Sequence, residues 1–339
     1  MGSTQIGRRL SHALFTVIAA SFASACGAGD SGTAEKATLQ TQTLQSGAVS
    51  TPATPVPVPD GYVATPAGYL HSSCIHQIPQ GGNIDQSGTV VDANNQVVAK
   101  YEACTHPPIR ALPSADERPS PKDAGASPPP TINGWVEYLL QYGNAGQPFT
   151  SLSSYFTVPD GAYMPASGEV VYYFPGLVDG FGNIIQPVLS YGKAPDYGQP
   201  LQWNIASWFV NYDGAGGHSP PIQVNPGDAI YGSMTYVASP TGHWHIVTTD
   251  DYSGWSTWLD LNRPNTQTSA MMRAYGAVLE AYNVDSCSAF PSSPQHTWDI
   301  FQAPTNWNPS WYWNGVNPQC SYQIQYGGTN GNNWANLYY

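Results

Sequence analysis

A chain of 339 residues with a net charge of −12 and only 9% charged residues lacks the basic patches that nucleic acid or an anionic membrane surface would require. Its 34 glycines, 31 prolines, 22 tyrosines and 11 tryptophans belong to an exported β-protein with many turns rather than to a helical cytosolic enzyme. The length admits one large β domain with appendages, or two domains.

The N-terminus reads as an export signal over residues 1–25. Arg8 and Arg9 precede an apolar run from Ala13 to Phe22, followed by the small residues Ala23-Ser24-Ala25. The run is too short for a membrane span, and no stop-transfer segment follows it. Cys26 directly after the cleavage site is a candidate for lipidation. The usual lipobox leucine is replaced by Ala23, so plain Ala-x-Ala cleavage is the alternative. The expected location is outside the cytoplasm, either extracellular or as a bacterial cell-surface lipoprotein. Membrane attachment would run only through a lipidated Cys26. Residues 26–60 contain little that could be buried and read as a disordered tether.

Residues 61–107 read as a small β module. The runs Gly88–Asp92 and Gln96–Lys100 flank Ala93-Asn94-Asn95, the pattern of a hairpin with an Asn turn. Setting Cys26 aside leaves Cys74, Cys104, Cys287 and Cys320. An even count in an exported chain implies disulfides, and proximity favours Cys74–Cys104 and Cys287–Cys320 among the three connectivities. His71, Cys74, His76, Cys104 and His106 also resemble scattered zinc ligands, but an oxidising compartment favours the disulfide. Residues 108–132 carry seven prolines and read as an extended linker. The stretch 61–132 is either a removable prosegment, whose Lys100, Arg110, Arg118 and Lys122 would pair with an acidic cleft, or a spacer.

Residues 133–339 form the main domain. Short runs separated by Gly, Pro, Asn and Asp suggest nine strands: Trp135–Tyr142, Leu152–Val158, Glu169–Phe174, Ile184–Tyr191, Ile205–Tyr212, Ala229–Tyr236, His243–Thr249, Ser256–Leu261 and Tyr275–Tyr282. The pattern indicates an all-β fold, a two-sheet antiparallel β-sandwich or jelly roll. The Trp- and Asn-rich tail from Trp307 would pack over an edge or face. From residue 134 onward ten Asp and three Glu face only Lys193, Arg263 and Arg273. With few ion pairs to lose when carboxylates protonate, the fold suits acid.

No nucleophile elbow and no Cys–His pair is present. His243 and His245 share a strand face, but the sequence names no third metal ligand, and no cofactor is expected. The residue that stands out is Glu280, a carboxylate in the apolar run Arg273–Val284, costly to bury without a partner. A second apolar strand, Asn183–Tyr191, carries Gln186 at its centre. Strand alternation puts Ile184, Gln186, Val188 and Ser190 on one face, and Gly276, Val278, Glu280 and Tyr282 on one face of the other strand. If the two faces line one surface, Glu280 can act as general base on a water and the Gln186 amide can stabilise the oxyanion. Pro187 directly after Gln186 suggests an edge or a bulge.

An ordered series of segments then resembles the glutamic peptidases (eqolisins), over about 134–285. Ser154–Pro159 is similar to that family's Phe-Thr-Val-Pro strand. Phe174–Gly180 is similar to its Trp-Val-Gly-Ile-Asp-Gly segment, with Phe174 in place of the tryptophan. Ile185-Gln186 resembles the catalytic Gln strand, Ala206–Tyr212 the tryptophan-rich substrate strand, Pro226–Ile230 the Gly-Asp-x-Ile turn, and Val278–Glu280 the catalytic Glu strand. The resemblance implies a concanavalin-like sandwich and a secreted acid endopeptidase. Gln186 and Glu280 would be its dyad, and Phe174, Trp203, Trp208 and Tyr212 would line the site for a polypeptide substrate. The alternative on such a fold is a non-catalytic carbohydrate-binding or adhesion protein, with Trp203, Trp208, Tyr212 and Trp244 stacking on polysaccharide.

Overall fold

The computed structural model describes residues 58–85, 87–110, 132–143, 148–159, 169–192, 202–238, 242–262, 270–284, 290, 295–302, 312–315, 323–329 and 332–338. The expected export signal, Cys26, nearly all of the expected tether and of the Pro-rich linker, and the expected Cys287–Cys320 pair lie outside them.

In chain order the strands are β1 (Tyr62–Thr65), β2 (Gly68–His71), β3 (Ile75–Gln77), β4 (Asn83–Asp85), β5 (Thr89–Val91), β6 (Val97–Lys100) and β7 (Ile109–Arg110). The main domain continues with β8 (Ile132–Tyr142), β9 (Ser151–Thr157), β10 (Val170–Asp179), β11 (Ile184–Gly192), β12 (Trp203–Val210), β13 (Gly216–His218), β14 (Ile222–Gln223), β15 (Ala229–Val237), β16 (His243–Asp250), β17 (Trp255–Asn262) and β18 (Met271–Val284). The tail adds β19 (Gln295–Gln302), β20 (Tyr312–Gly315), β21 (Gln323–Thr329) and β22 (Asn332–Tyr338). One 3-10 turn, Ser72–Cys74, is the only helical element among the described residues. All nine expected strands are present, and seven of them are longer than expected, by one to six residues.

The fold is all-β, built on two large sheets. The first runs β20-β8-β18-β10-β11-β12-β13-β3, with β14 also on β12, and the second runs β21-β22-β19-β9-β15-β16-β17-β4-β5-β6. Between them lies the larger core, drawn from alternate residues of both sheets, such as Tyr173, Ile185, Leu189, Ile205 and Phe209 against Phe156, Ile230, Met234, Trp244 and Ile246. Period-two alternation along each strand produces this division. The tail lengthens both sheets at their edges instead of lying over a face, with β19 pairing β9 and β20 pairing β8.

The N-terminal strands are built into the same compact unit as the sandwich. The expected hairpin is present as β5 and β6, with Asn95 in the left-handed region at φ 60°. β4 then joins that hairpin to the second sheet, pairing β17 in parallel, while β3 pairs β13 in parallel on the first sheet. An antiparallel sandwich is therefore correct for the main strands, and the two parallel pairs come from the N-terminal segment. Cys74 and Cys104 form the expected disulfide, with Cα atoms 5.4 Å apart. β1, β2 and β7 form a separate three-stranded sheet. Its residues Ala67, Tyr69 and Leu70 bury a second apolar cluster on the outer face of the first sheet, among Trp135, Tyr172, Phe174, Val188, Trp208, Val278 and Tyr282.

Candidate active site

Gln186 and Glu280 lie on that outer face, and both are fully buried. β11 and β18 flank β10. Ile184 and Val188 share the outer cluster with Val278 and Tyr282, as strand alternation requires. Ile185, Leu189, Leu279 and Ala281 point into the sandwich. In β18 the alternation is reset by a bulge between Gly276 and Leu279, where Ala277 takes φ 48°. Such an insertion re-aims the side chains beyond it. The register sets two rows on the site face: Trp135–Glu280–Tyr172–Ser190 and Gln186–Trp208–His218.

Pro187 is at neither an edge nor a bulge, contrary to expectation. β11 is an interior strand, and its pairing with β12 runs unbroken from Ile184↔Val210 to Tyr191↔Trp203. On the other side the β10 pairs pass from Tyr173↔Leu189 to Leu177↔Ile185 in one register, which sets Pro175 opposite Pro187. Two residues without an N–H face each other, and the ladder lapses at Phe174, Pro175 and Gly176 before resuming in the same register. The Pro187 ring faces the interior and meets Gly232 of β15, where an added Cβ would come within 2.5 Å of the Pro187 Cγ. Ring packing on one face thus fixes the backbone that presents Gln186 on the other.

The two side chains converge on a single peptide group. Gln186 Nε2 donates to the carbonyl oxygen of Pro66, and the N–H of Ala67 donates to Glu280 Oε1 at 3.2 Å. The Tyr282 hydroxyl also donates to Glu280 Oε1. Burial, then the charge and hydrogen bond of Glu280, hold the Tyr282 phenol well above its ordinary range. Tyr69 is pushed up to about 12, first by burial and then by Glu280. Both phenols therefore keep their protons at any working pH and remain donors, Tyr282 to Glu280 and Tyr69 to Asn133 Oδ1 at 2.6 Å.

The other expected site residues divide by face. Trp208 and Phe174 are buried in the outer cluster that also holds Val188, Val278 and Tyr282, on the face of Gln186 and Glu280. Trp203 belongs instead to the core between the sheets, with Tyr173 and Tyr191 as ring neighbours. Trp244 is likewise an interior residue, against Tyr236. An odd number of positions separates Trp203 from Trp208, so the pleat sends them to opposite faces. Tyr212 lies beyond the end of β12, 60% exposed, near Phe181. Of the residues that border Glu280, Tyr282 was expected on its face and Trp135 was not. Alternation alone places Tyr282 beside Glu280, whereas pairing with Trp135 depends on a strand 145 positions upstream.

His71, His76 and His106 lie around the disulfide as ring partners: His71 stacks on His106 at 3.7 Å and His76 on Tyr101 at 3.6 Å. On the second sheet His245 Nδ1 lies 2.6 Å from Asp260 Oδ1, and His243 Nε2 lies 3.9 Å from the same oxygen. The hydrogen bonds of the N-terminal stretch with Gln186 and Glu280 are made by its backbone groups, and of the basic residues expected to hold it in an acidic cleft Arg118 and Lys122 lie outside the described residues. Lys100 lies on β6, the far edge strand of the second sheet.

No family model and no curated protein matches the chain. Among solved structures it is similar to scytalido-glutamic peptidase with a peptide-based transition-state analogue, at 13% identity and TM-score 0.40. A second structure of that peptidase, with a transition-state analogue inhibitor, gives 14% and 0.38. SCP-B, a member of the eqolisin family in complex with the tripeptide Ala-Ile-His, gives 13% and 0.37. Each match covers 62% of this chain and 99% of the other. The geometry of Gln186 and Glu280 is a property of this chain independent of those likenesses.

Proposed function

We propose that the protein is an exported endopeptidase favoured by acid, with Glu280 as general base and acid and Gln186 as oxyanion donor. One observation carries this reading: the two side chains grip the C=O and the N–H of the same peptide bond. These are the two atoms at which amide hydrolysis needs help. Glu280 takes a proton from water as the water adds to the carbonyl carbon. The Gln186 amide, already on the carbonyl oxygen, stabilises the charge that develops there. Glu280 then passes its proton to the nitrogen, which lies against its Oε1, and the C–N bond breaks. The products are a carboxylic acid and an amine, with one water consumed. Tyr282 holds the Glu280 carboxylate in place throughout.

The shortage of cations in residues 134–339 supports an acid-tolerant fold, and the Cys74–Cys104 disulfide supports an oxidising compartment. The substrate class is polypeptide. Burial of Trp203 and Trp244 in the core leaves the sugar-stacking alternative without half of its aromatic set. The test is cleavage of denatured casein from strongly acid to neutral pH by the wild type and by Glu280→Gln and Gln186→Ala. Cleavage confined to acid and lost in both variants is the expected result. Cleavage that survives both substitutions would sink the dyad.

A further inference from the structure

The peptide group held by Gln186 and Glu280 belongs to the chain itself. β1 and β2 pair as Tyr62↔His71, Val63↔Leu70, Ala64↔Tyr69 and Thr65↔Gly68, so Pro66-Ala67 is a two-residue hairpin tip. That tip is seated on the dyad and covers it: Ala67, Leu70, Gln186 and Glu280 are all 0% exposed. Further bonds hold the hairpin on both sides of the tip. The Tyr172 hydroxyl donates to the Ala64 carbonyl at 3.0 Å, and Tyr69 reaches Asn133. The Tyr69 ring meets Tyr282 edge-on at 4.8 Å. At the open end of the hairpin Tyr62 donates to the Pro107 carbonyl at 2.7 Å and His71 stacks on His106, two residues from the Cys104 bridge.

We propose that residues 62–71 are a built-in inhibitor of this site, with the Pro66–Ala67 bond standing where the scissile bond of a substrate would stand. The inference rests on the peptidase reading above. It also explains how the bond survives next to the groups that would cut it. Ala67 sits at φ 131°, in a region that an L-residue rarely adopts, and the tip is a tight turn instead of an extended strand. With the dyad and Ala67 sealed from bulk solvent, the carbonyl carbon is closed to an attacking water. The segment after the hairpin is tied separately, through β3 to the first sheet and β4 to the second. The hairpin can therefore leave the site while the strands behind it stay in place, and latency is relieved by displacement or excision of about ten residues.

The experiment uses the full chain. Ala67→Pro removes the N–H bonded to Glu280 and cannot adopt φ 131°. Leu70→Asp places a charge where Leu70 is fully buried, and serves as an independent unseating variant. Two readouts are taken in acid: cleavage of an unstructured fluorogenic peptide, and binding of the same peptide labelled with a fluorophore to versions that also carry Glu280→Gln. Both unseating variants should cleave at least tenfold faster than wild type and bind the peptide at least tenfold more tightly in the Glu280→Gln background. A synthetic peptide of the Tyr62–His71 sequence, added in trans, should suppress the gain. Equal peptide binding by seated and unseated forms overturns the inhibitor, whatever the cleavage rates. Tighter binding by the unseated forms with no cleavage when Glu280 is intact supports the inhibitor and removes the peptidase reading. Hydrogen exchange on the wild type needs no variant: amides of 62–71 that exchange within seconds would also overturn the proposal.

Discussion

At the scale of single residues, the site is defined by what its two polar groups hold. Removing an oxyanion donor costs a factor of about 10²–10³ in kcat, so Gln186→Ala should fall by that order with little change in KM. Glu280→Gln, which abolishes proton transfer itself, should fall further in a single-turnover assay. A second carboxylate has a separate consequence. Glu137 on β8 is fully buried, and neither of its oxygens has a hydrogen-bond partner among the described residues. Burial holds its carboxyl well above the ordinary 4.5. Between 4.5 and that raised value the folded state binds a proton that the unfolded state releases. The contribution to stability is thus fully present below 4.5 and is lost as pH rises through the folded value. Glu137→Gln keeps the shape and removes the titration. It should raise the melting temperature at neutral pH by roughly 2–4 °C for each kcal/mol recovered, and should leave the acid value nearly unchanged. An equal shift at both pH values would show that the folded protein does not hold the Glu137 carboxyl above its unfolded value.

At the scale of elements, the strands and the faces of Gln186 and Glu280 were legible in the sequence because both depend on a period of two residues. The same rule sorts Trp203 from Trp208, yet a cluster of aromatics on one strand invites reading them as one surface. What the sequence hides is pairing. Pro187 looked like an edge residue because nothing local reveals Pro175 across the ladder or Gly232 on the opposite sheet. The bulge at Ala277 is hidden for a similar reason, since its left-handed φ falls on a residue that does not announce a turn. The Pro187–Gly232 contact gives a test of how the sandwich interior supports the site. A Cβ at residue 232 would lie within 2.5 Å of the Pro187 Cγ, in the middle of two packed sheets where neither backbone can move freely. Gly232→Val should therefore destabilise the protein by about 1–3 kcal/mol in denaturant unfolding. The surviving folded protein should bind peptide less well, because the strand that presents Gln186 is pushed outward. Unchanged unfolding midpoints would mean that β11 and β15 separate easily, and would remove the support assigned to Pro187.

At the scale of the molecule, the described N-terminal segment 58–110 and the sandwich are parts of one arrangement. The sequence marked 61–107 as a module with a disulfide, but its hydrogen bonds run to strands more than a hundred positions away, and no local pattern encodes those. Its β3 and β4–β6 extend the two sheets on the same side of the sandwich, and its hairpin crosses the outer face of the first sheet. The Cys74–Cys104 bridge closes a loop of sequence separation 30 around β3–β6 and ties the foot of the hairpin to the strand returning to β7. A loop of that size restricts the unfolded chain by about 3–4 kcal/mol in the chain-entropy account. Most of that effect should act on the wrap alone, since the main strands of both sheets pair independently of the bridge. Replacing both cysteines by serine should thus raise hydrogen exchange throughout 62–110, including the hairpin tip on the dyad, while β10, β11, β15 and β16 keep their protection. If the hairpin inhibits the site, the same variant should show higher acid cleavage of an unstructured peptide than wild type. Uniform loss of protection across both sheets would instead show that wrap and sandwich unfold as one cooperative unit, and that the hairpin cannot leave without the fold.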